Sequence, residues 1–244
     1  MYTLRVEIDQ AIAERFPAIT IGGLAVGNLR VATAQLDSTG RLEQALATLS
    51  ARGLTPANLG DDPRIAGWRD AFRLQGLKPS KYRTSPDALA RRALRGDSIQ
   101  TPLPLVDVYN AVSLHFLTPL GAYDLERLPA QHMVLRFARP ASDTFVPLGA
   151  EASSMPLLET VAVYASGDTI LCWGFNHRDA QLACLQPHTD AAVFFSEGVV
   201  HEHRDGIGAA LSALRQLLQE AGAAVGDVAI TDRSGPPLVI TWPY

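Results

Sequence analysis

Hydrophobic and polar residues alternate at the start of the chain, where Leu4, Val6 and Ile8 are separated by polar side chains. This two-residue period is typical of a strand with one buried face. The same period returns in the second half and predicts strands at 133–137, 161–164, 169–175 and 191–195, then short strands at 228–230 and 238–240. Between residues 19 and 31 the apolar residues also predict β-structure, interrupted by turns at Gly22-Gly23 and Gly27-Asn28.

Helical spacing of apolar residues occurs in five places. It predicts helices at 41–52, 65–75, 105–117 and 207–221, and one that starts near residue 85. The start of this last helix is well marked, because Ser85 suits the N-cap, Pro86 the first helical position and Asp87 the first turn. After a later Pro/Gly turn, Asp124 is predicted to cap a further short helix at 125–128.

The order of these elements indicates the fold class. Helices are embedded among strands without regular alternation, which favours an α+β fold with a three-layer mixed architecture over a doubly wound parallel sheet. No linker, low-complexity tract or internal repeat divides the chain, so residues 1–244 are predicted to form one compact domain. A chain of 244 residues buries about 70–75% of the surface of its unfolded form and needs no disulfide or metal for stability.

Composition narrows the classes of function. The net charge is −4 and the pI is about 5.8, which argues against a protein that coats nucleic acid electrostatically. No apolar run approaches the roughly 20 residues of a membrane-spanning helix, and the N-terminus lacks a signal peptide. A cytoplasmic location without membrane contact is therefore expected, and any contact with RNA must come from a local basic surface.

A basic surface of this kind is indicated between positions 69 and 95. Residues 78–83 form its centre and are called the basic loop below. A solvated helical face would produce the same pattern, so both interpretations remain open at this point. The stretch holds eight of the 21 lysines and arginines of the chain, namely Arg69, Arg73, Lys78, Lys81, Arg83, Arg91, Arg92 and Arg95.

Common catalytic signatures are absent from the sequence, which has no phosphate-binding glycine loop, nucleophile elbow or His-Glu-x-x-His zinc helix. Cys172 and Cys184 are interpreted as reduced core thiols, although His177 and His188 leave a Cys/His nucleophile open. The segment His201-Glu202-His203 is interpreted as an exposed loop rather than a metal site. No metal and no cofactor are predicted.

Four segments of the chain form a recognisable combination. They are Trp68-Arg-x-Ala-Phe72, Pro79-Ser-Lys-Tyr-Arg-x-Ser85, Val106-Asp-x-x-Asn110 and Pro119-x-x-Ala-Tyr-Asp124. The combination resembles the B3/B4 editing domain found in the β subunit of phenylalanyl-tRNA synthetase, and in particular free-standing members of that family. The resemblance covers about residues 60–200 and implies the α+β fold of that domain.

The resemblance also implies a function. Domains of this family hydrolyse the ester between a wrong amino acid and the terminal adenosine of tRNA, by positioning the substrate and a water molecule rather than through a side-chain nucleophile. The expected partner is the aminoacylated acceptor end of a tRNA, not DNA. The implied residues are Asp107, Asn110, Asn176 and Asp179 for catalysis, Tyr109, Ser113, Gly121, Trp173 and Arg178 for the substrate, and Lys78, Lys81, Arg83 and Arg91 for tRNA.

One departure from the family pattern leaves alternatives open. The family commonly carries a histidine that contributes to editing in the turn after the apolar helix, and here that position is Gly121. Structural roles also remain open, namely a cap for Asp107, a backbone contact for Asn110, and core packing for Tyr109 and Trp173. Three hypotheses follow: a trans-acting deacylase of mischarged tRNA, a non-catalytic module that binds tRNA or an amino acid, and a hydrolase or binding protein for free amino-acid derivatives. The oligomeric state does not follow from the sequence.

Overall fold

The computed structural model describes residues 2–151 and 155–242. Within this part of the chain the strands are β1 (Tyr2–Ile8), β2 (Thr20–Gly27), β3 (Gly121–Asp124), β4 (His132–Phe137), β5 (Ala162–Ser166), β6 (Thr169–Trp173), β7 (Arg178–Asp179), β8 (Ala192–Gly198), β9 (Ala224–Val225), β10 (Ala229–Asp232) and β11 (Leu238–Trp242). The helices are α1 (Gln10–Arg15), α2 (Leu29–Thr33), α3 (Ser38–Ala51), α4 (Pro63–Leu74), α5 (Ser85–Leu94), α6 (Pro104–Phe116) and α7 (Arg204–Glu220). No helix in the described ranges is long and apolar enough to cross a membrane.

The strands form two sheets in which antiparallel pairing dominates. The first sheet has the order β11-β1-β4-β5-β6-β7, in which β1 and β4 run parallel. The second has the order β10-β2-β8-β3, with β9 also paired to β2. Because the helices do not alternate with parallel strands, the architecture is α+β, as the sequence predicts.

Three buried clusters define the layers. The first lies between the sheets, where Leu135 and Tyr164 of the first sheet pack with Phe195 of the second. A second cluster covers the opposite face of the second sheet, where Phe194 packs with residues of α6 and α7 such as Leu211. The third joins α3, α5 and α6. The resulting order is sheet, sheet and helices, with α3 and α5 packed against α6.

The glycine pair Gly22-Gly23 lies inside β2, so the predicted turn at this point is wrong. A β-carbon at Gly22 would lie 2.6 Å from Leu211 Cδ1, and one at Gly23 would lie 2.2 Å from Ile240 Cδ1. The strand therefore packs too closely against α7 and β11 to carry side chains here. β2 does end at Gly27, but the predicted β-structure beyond it is wrong, because residues 29–33 form the helix α2.

Two predicted helix starts need correction. The helix near residue 85 is present as α5, but its N-cap is Thr84 rather than Ser85. The helix predicted at 125–128 is absent, because residues 121–124 form β3 and the chain then turns. Asp124 organises that turn, since its carboxylate accepts hydrogen bonds from the Glu126 amide at 2.9 Å and from Thr189 Oγ1 at 2.6 Å.

A buried ion pair joins β4 to the turn that follows it. Arg136 donates to the two carboxylate oxygens of Asp143 at 2.8 and 2.6 Å. The same guanidinium donates to the carbonyl oxygens of Phe137 and Gly167 at 3.0 and 2.9 Å. The Arg139 amide donates to Asp143 at 2.7 Å. Both charges are thus paired and hydrogen-bonded, which is the condition under which a buried pair is tolerated.

Candidate functional site

A small polar cavity lies where the two sheets and the start of α5 meet. Its volume is about 40 Å³, room for about three groups the size of a water molecule. Buried side chains, among them Tyr164, Cys172 and Glu197, form its floor, and partly exposed residues, among them Asn176, form its mouth. The lining residues are Ser85, Leu120, Gly121, Tyr123, Tyr164, Cys172, Phe175, Asn176, Asp179, Phe195 and Glu197.

The turn between β6 and β7 positions the polar residues at the mouth. The predicted strand at 169–175 ends earlier, at Trp173, because Gly174 and Phe175 both adopt a positive φ, of 65° and 59°. Such a φ is strained for a residue with a side chain, and the packing around Phe175 must compensate. Its ring is fully buried and meets Phe16 and Trp68 edge-on, with centroids 5.1 and 5.4 Å away. The core thereby holds the backbone that presents Asn176.

Asn176 connects the start of α5 to the floor of the cavity. Its Oδ1 accepts a hydrogen bond from the Ser85 amide at 3.1 Å, and its Nδ2 donates to Glu197 Oε1 at 2.7 Å. The next residue, His177, has Nδ1 2.7 Å from the carbonyl oxygen of Arg83. Because a carbonyl oxygen only accepts, Nδ1 carries the proton. The turn is therefore attached to the end of the basic loop by one hydrogen bond and to the start of α5 by another.

The cavity brings two carboxyl groups together. Glu197 is 3% exposed, and desolvation by burial raises its pKa to about 7, with the nearby charge of Asp179 acting in the same direction. Burial also raises the pKa of Asp179, against the lowering effects of hydrogen bonds from Cys172 and Tyr123 and of the charge of Arg178. The pKa of each group is therefore higher than that of an ordinary carboxyl group.

Replacing Glu197 by glutamine is expected to change how stability depends on pH. Glutamine keeps the acceptor for Asn176 but cannot ionise. The pKa of Glu197 rises from 4.5 unfolded to about 7 folded, so its protonated form favours folding fully below pH 4.5. That contribution, about 3 kcal/mol, is lost as the pH rises through 7. Urea unfolding of wild type and Glu197→Gln at pH 5 and pH 8 measures this contribution. If the free energy of unfolding changed with pH by the same amount in both proteins, the pKa of Glu197 would be ordinary.

The α6 residues named from the sequence do not line this cavity. Side chains alternate along β8, so Phe194 points away from Phe195 and Glu197, and Tyr109 packs edge-on against Phe194 with ring centroids 6.0 Å apart. Asp107 is buried and accepts a hydrogen bond from the Thr101 amide at 2.8 Å. Ser113 is also buried.

The other two α6 residues named from the sequence, Ser113 and Asn110, also lie outside the cavity lining. Ser113 Oγ donates to the carbonyl oxygen of Thr118 at 2.6 Å, which stabilises the end of α6. Asn110 is partly exposed on α6. The structure thus brings together Asn176, Asp179 and Gly121 from the sequence-based set, while it places Asp107, Asn110, Tyr109 and Ser113 outside the cavity lining.

Gly121, Trp173 and Arg178 have three different environments. A β-carbon at Gly121 would meet no atom within 4 Å, so this position at the mouth has room for a side chain. Trp173 is fully buried, donates from Nε1 to the Pro156 carbonyl at 3.0 Å and contacts the ring of Tyr82. Arg178 is exposed and does not line the cavity. Trp173 therefore acts as a core aromatic that supports the basic loop.

Four basic residues are predicted from the sequence to bind tRNA, and one of them, Arg91, differs from the others in its surroundings. Lys78 and Lys81 are exposed and Arg83 is partly exposed, all within the basic loop that leads to Ser85. Arg91 instead donates to Asp87 at 3.3 Å and to the Pro56 carbonyl oxygen at 2.6 Å, and its side chain is only 17% exposed. Because its charge is already paired, we leave Arg91 out of the proposed tRNA surface.

The cysteines and histidines do not form a nucleophilic pair in the described residues. Cys172 is buried, and desolvation together with the negative charge of Asp179 raises the pKa of its thiol, so the thiolate is disfavoured. Cys184 is partly exposed and donates to the Gln181 carbonyl at 3.1 Å. Both thiols are free, and Cys172 is buried as the sequence predicts.

The segment 201–203 is a short 3₁₀ helix and not the exposed loop that the sequence predicts. His203 is buried, its Nδ1 accepts from the Val199 amide at 3.2 Å, and its Nε2 lies 2.8 Å from the Arg64 carbonyl oxygen. It also stacks on Trp68. Across residues 2–151 and 155–242, no group of three or more potential metal-binding side chains comes together.

The sequence pattern did not point to Glu197 as a site residue, nor to Ser85, Tyr164 and Cys172 as parts of the cavity lining. A signal was present, because Glu197 is a charged residue within the otherwise uncharged strand Ala192–Gly198. A charge in a fully buried strand requires a partner or a function. The hydrogen bond to Asn176 and the shared cavity with Asp179 connect it to the residues named from the sequence.

A larger cavity lies elsewhere and has fewer convergent groups. It measures about 620 Å³ and is bordered by two carboxylates, Glu126 and Asp190. Glu126 is exposed, and Asp190 is already bonded to the Arg30 amide at 3.1 Å. The small cavity is therefore the better candidate site, because its carboxyl groups are desolvated and close together.

Comparisons with known proteins agree with the resemblance seen in the sequence. The phenylalanine–tRNA ligase β subunit of Rickettsia conorii is 28% identical over 108 residues, which is 44% of this chain and 12% of that protein. An N-terminal fragment of the phenylalanyl-tRNA synthetase β subunit of Pyrococcus horikoshii aligns with a TM-score of 0.48 and 12% identity, over 92% of this chain and 52% of that one. The B3/4 domain model matches residues 67–210. That match spans more than half of the chain, which therefore belongs to the B3/4 domain family.

Proposed function

We propose that this protein is a trans-acting deacylase that hydrolyses the ester of mischarged aminoacyl-tRNA. The observation that carries the proposal is the buried carboxyl group of Glu197, which Asn176 links to Ser85, two residues beyond the basic loop. A buried carboxyl group and an exposed basic loop are thus linked through Asn176 and Ser85 in a chain of the B3/4 domain family, which supports this proposal. Such a role implies a tRNA acceptor end as the partner and the cytoplasm as the location.

The chemistry requires a base for water and a donor for the developing oxyanion. Water attacks the ester carbonyl and its proton passes to Glu197. The protonated Glu197 then returns this proton to the ribose oxygen as the bond from the carbonyl carbon to that oxygen breaks, which releases a ribose hydroxyl and the free amino acid and restores the carboxylate. A base works best when its pKa is near the working pH, and the pKa of Glu197 is about 7. Glu197 suits this role better than a carboxylate with an ordinary pKa.

Ser85 is suited to the oxyanion. Ser85 is one of the residues that line the cavity, and its buried Oγ has no hydrogen-bond partner among the described residues. An unsatisfied buried hydroxyl costs stability unless a ligand completes its bonding. The partly exposed position of Ser85 at the mouth is where an ester group attached to a tRNA end would enter. This assignment makes Asn176 a positioning residue, which holds Glu197 relative to Ser85.

Neutralising the basic loop is expected to weaken tRNA binding without changing the chemical step. In a Lys78→Gln, Lys81→Gln, Arg83→Gln variant, the apparent KM should rise and saturated turnover should stay nearly constant. The slope of log affinity against log salt should fall by about two to three, close to one for each lost phosphate contact. His177 binds the backbone of Arg83, so these side-chain changes leave the turn attached.

A matched control has the same change of charge elsewhere on the surface. The arginines Arg5, Arg30 and Arg139 are exposed and lie outside the basic loop. Replacing all three by glutamine should leave the KM and the salt slope close to the wild-type values. Equal effects of the two triple variants would mean that tRNA responds to net charge alone and that the basic loop is not its binding surface.

The proposal is tested by incubating the purified protein with a panel of mischarged tRNAs and following release of the amino acid. Hydrolysis of one or more of them, abolished in Glu197→Gln, supports a deacylase. If tRNA binds with steep salt dependence but no ester is cleaved, the alternative of a non-catalytic tRNA-binding module replaces it. The open space at Gly121, where the resembling family commonly has a histidine, is the observation that favours this alternative.

A further inference from the structure

We propose that a groove between α3, α6 and α7 is a second ligand site, which binds a small aromatic carboxylate through the guanidinium group of Arg41. The volume of this helical groove is about 250 Å³. The helices α6 and α7 cover the face of the second sheet that points away from Glu197, so the groove is separate from the polar cavity. The inference therefore does not depend on the proposed function.

The shape of the helical groove suits a flat apolar ligand. Each of the three helices contributes one alanine to its lining, namely Ala45, Ala111 and Ala213, and these short side chains leave space between the helices. At one side the rings of His115 and Phe116 meet edge-on, with centroids 4.8 Å apart. Aromatic ligands make favourable edge and offset contacts with such rings. The volume lies just below the range of about 300–1,000 Å³ that is usual for small-molecule pockets, so one or two rings fit.

The charge of the lining is the second argument. The described residues that line the helical groove include an arginine, a histidine and two glutamines, but no aspartate or glutamate. The Nε of Arg41 is buried and has no hydrogen-bond partner among the described residues, which is a costly state for a donor on a charged group. Arg41 also lies near the N-terminus of α3, where the helix dipole adds positive potential. The nearby Asp37 already accepts a hydrogen bond from the Gly40 amide at 3.0 Å. An anionic ligand would therefore complete this side of the groove.

The number and geometry of the donors favour a carboxylate over a phosphate. Burial and the charge of Arg52 lower the pKa of His115, so its imidazole is neutral at pH 7. Arg41 is then the full positive charge of the described lining, and a monoanion balances it, whereas a phosphate group carries about −1.5 to −2. The Nε and a neighbouring Nη of an arginine donate in parallel to the two oxygens of a carboxylate. Because Arg41 is partly exposed, its guanidinium can turn toward a ligand in the groove.

A pair of ligands that differ in charge tests the inference. The compounds 2-naphthoate and 2-naphthamide have the same rings, and only the first is an anion. Calorimetry at pH 7.5 should show that wild-type protein binds 2-naphthoate about tenfold or more tightly than 2-naphthamide, the usual contribution of hydrogen bonds to a charged group. Arg41→Gln should lose this preference. Arg139→Gln, which changes an exposed arginine outside the groove, should keep it.

A second pair of variants locates the ligand. Ala213→Leu fills the helical groove from α7 and should weaken binding of both compounds. Ser212→Leu makes a similar change at an exposed position of α7 outside the lining and should not. Circular dichroism of all four variants confirms that they are folded.

The proposal is overturned if wild-type protein binds neither compound at millimolar concentration, binds both equally, or keeps its preference in Arg41→Gln. Tighter binding of 2-naphthyl phosphate than of 2-naphthoate would also overturn it, because the site would then select a phosphate. Deacylation of mischarged tRNA by Arg41→Gln should match that of wild type. The proposed function and this second site can therefore fail separately.

Discussion

Glu197→Gln is expected to lower single-turnover deacylation by about 10²–10⁴-fold, the usual contribution of a general base. The substitution removes the proton acceptor but keeps the size of the side chain and the contact with Asn176. It also removes a buried group that ionises at an energetic cost, so the variant should be more stable than wild type at pH 8. Loss of activity with gain of stability cannot result from misfolding, and this separates a catalytic role from a structural one.

A control for this experiment is available close to the site. Glu202 is an exposed glutamate a few residues beyond β8, so Glu202→Gln makes the same chemical change outside the cavity. It should leave both the rate and the melting temperature near the wild-type values, because surface substitutions of this kind usually change stability by less than about 0.5 kcal/mol. If Glu197→Gln remained as active as Glu202→Gln, Glu197 would have no part in the chemistry.

Asp143→Asn is expected to lower the free energy of unfolding by about 3–5 kcal/mol, the usual cost of removing one partner of a buried ion pair. Arg136 is 4% exposed and would retain its charge without a counterion. The Arg139 amide and two backbone carbonyl groups bonded to the same pair would also lose their arrangement. Denaturation by urea at pH 7 measures the change directly.

Two further variants show whether the unpaired charge is the cause. Replacing Arg136 and Asp143 together by Met and Leu should recover much of the lost stability, because apolar replacement of a buried pair is often neutral. Breaking the exposed Arg5–Glu7 pair with Glu7→Gln should cost at most about 1 kcal/mol. A cost for Asp143→Asn as small as that of Glu7→Gln would mean that water reaches the Arg136 guanidinium.

Several parts of the fold could be predicted from the sequence because their signals are local. The apolar spacing at 41–52, 65–75, 105–117 and 207–221 predicted α3, α4, α6 and α7 to within a few residues. Period-two segments predicted β4, β5, β6 and β8 in the same way. The motif around residues 68–124 also pointed to the family that the B3/4 domain match now shows. Periodicity and motif are properties of neighbouring residues, so they can be recognised without the tertiary structure.

Local signals failed where a distant segment decides the outcome. The Gly22-Gly23 pair has the composition of a turn, yet it lies inside β2 because α7 and β11 approach both faces of the strand. Arg91 belongs to a basic stretch, yet its charge is paired with Asp87 and the Pro56 carbonyl. Neither contact is visible in the sequence around these positions, since each depends on packing between separate elements.

The candidate site also has features that the sequence determined and features that only the tertiary structure decided. The sequence by itself determined the fold class, the family and the basic loop. It also marked Asn176 and Asp179 as candidate site residues. Only the tertiary structure decided that α6 lies on the far side of β8 and that Glu197 completes the cavity. A hydrogen bond joins Asn176 to Glu197 across 21 residues, and burial between the two sheets sets the pKa of Glu197. Desolvation and proximity arise from folding, so the reactivity of a carboxyl group cannot be read from its place in the sequence.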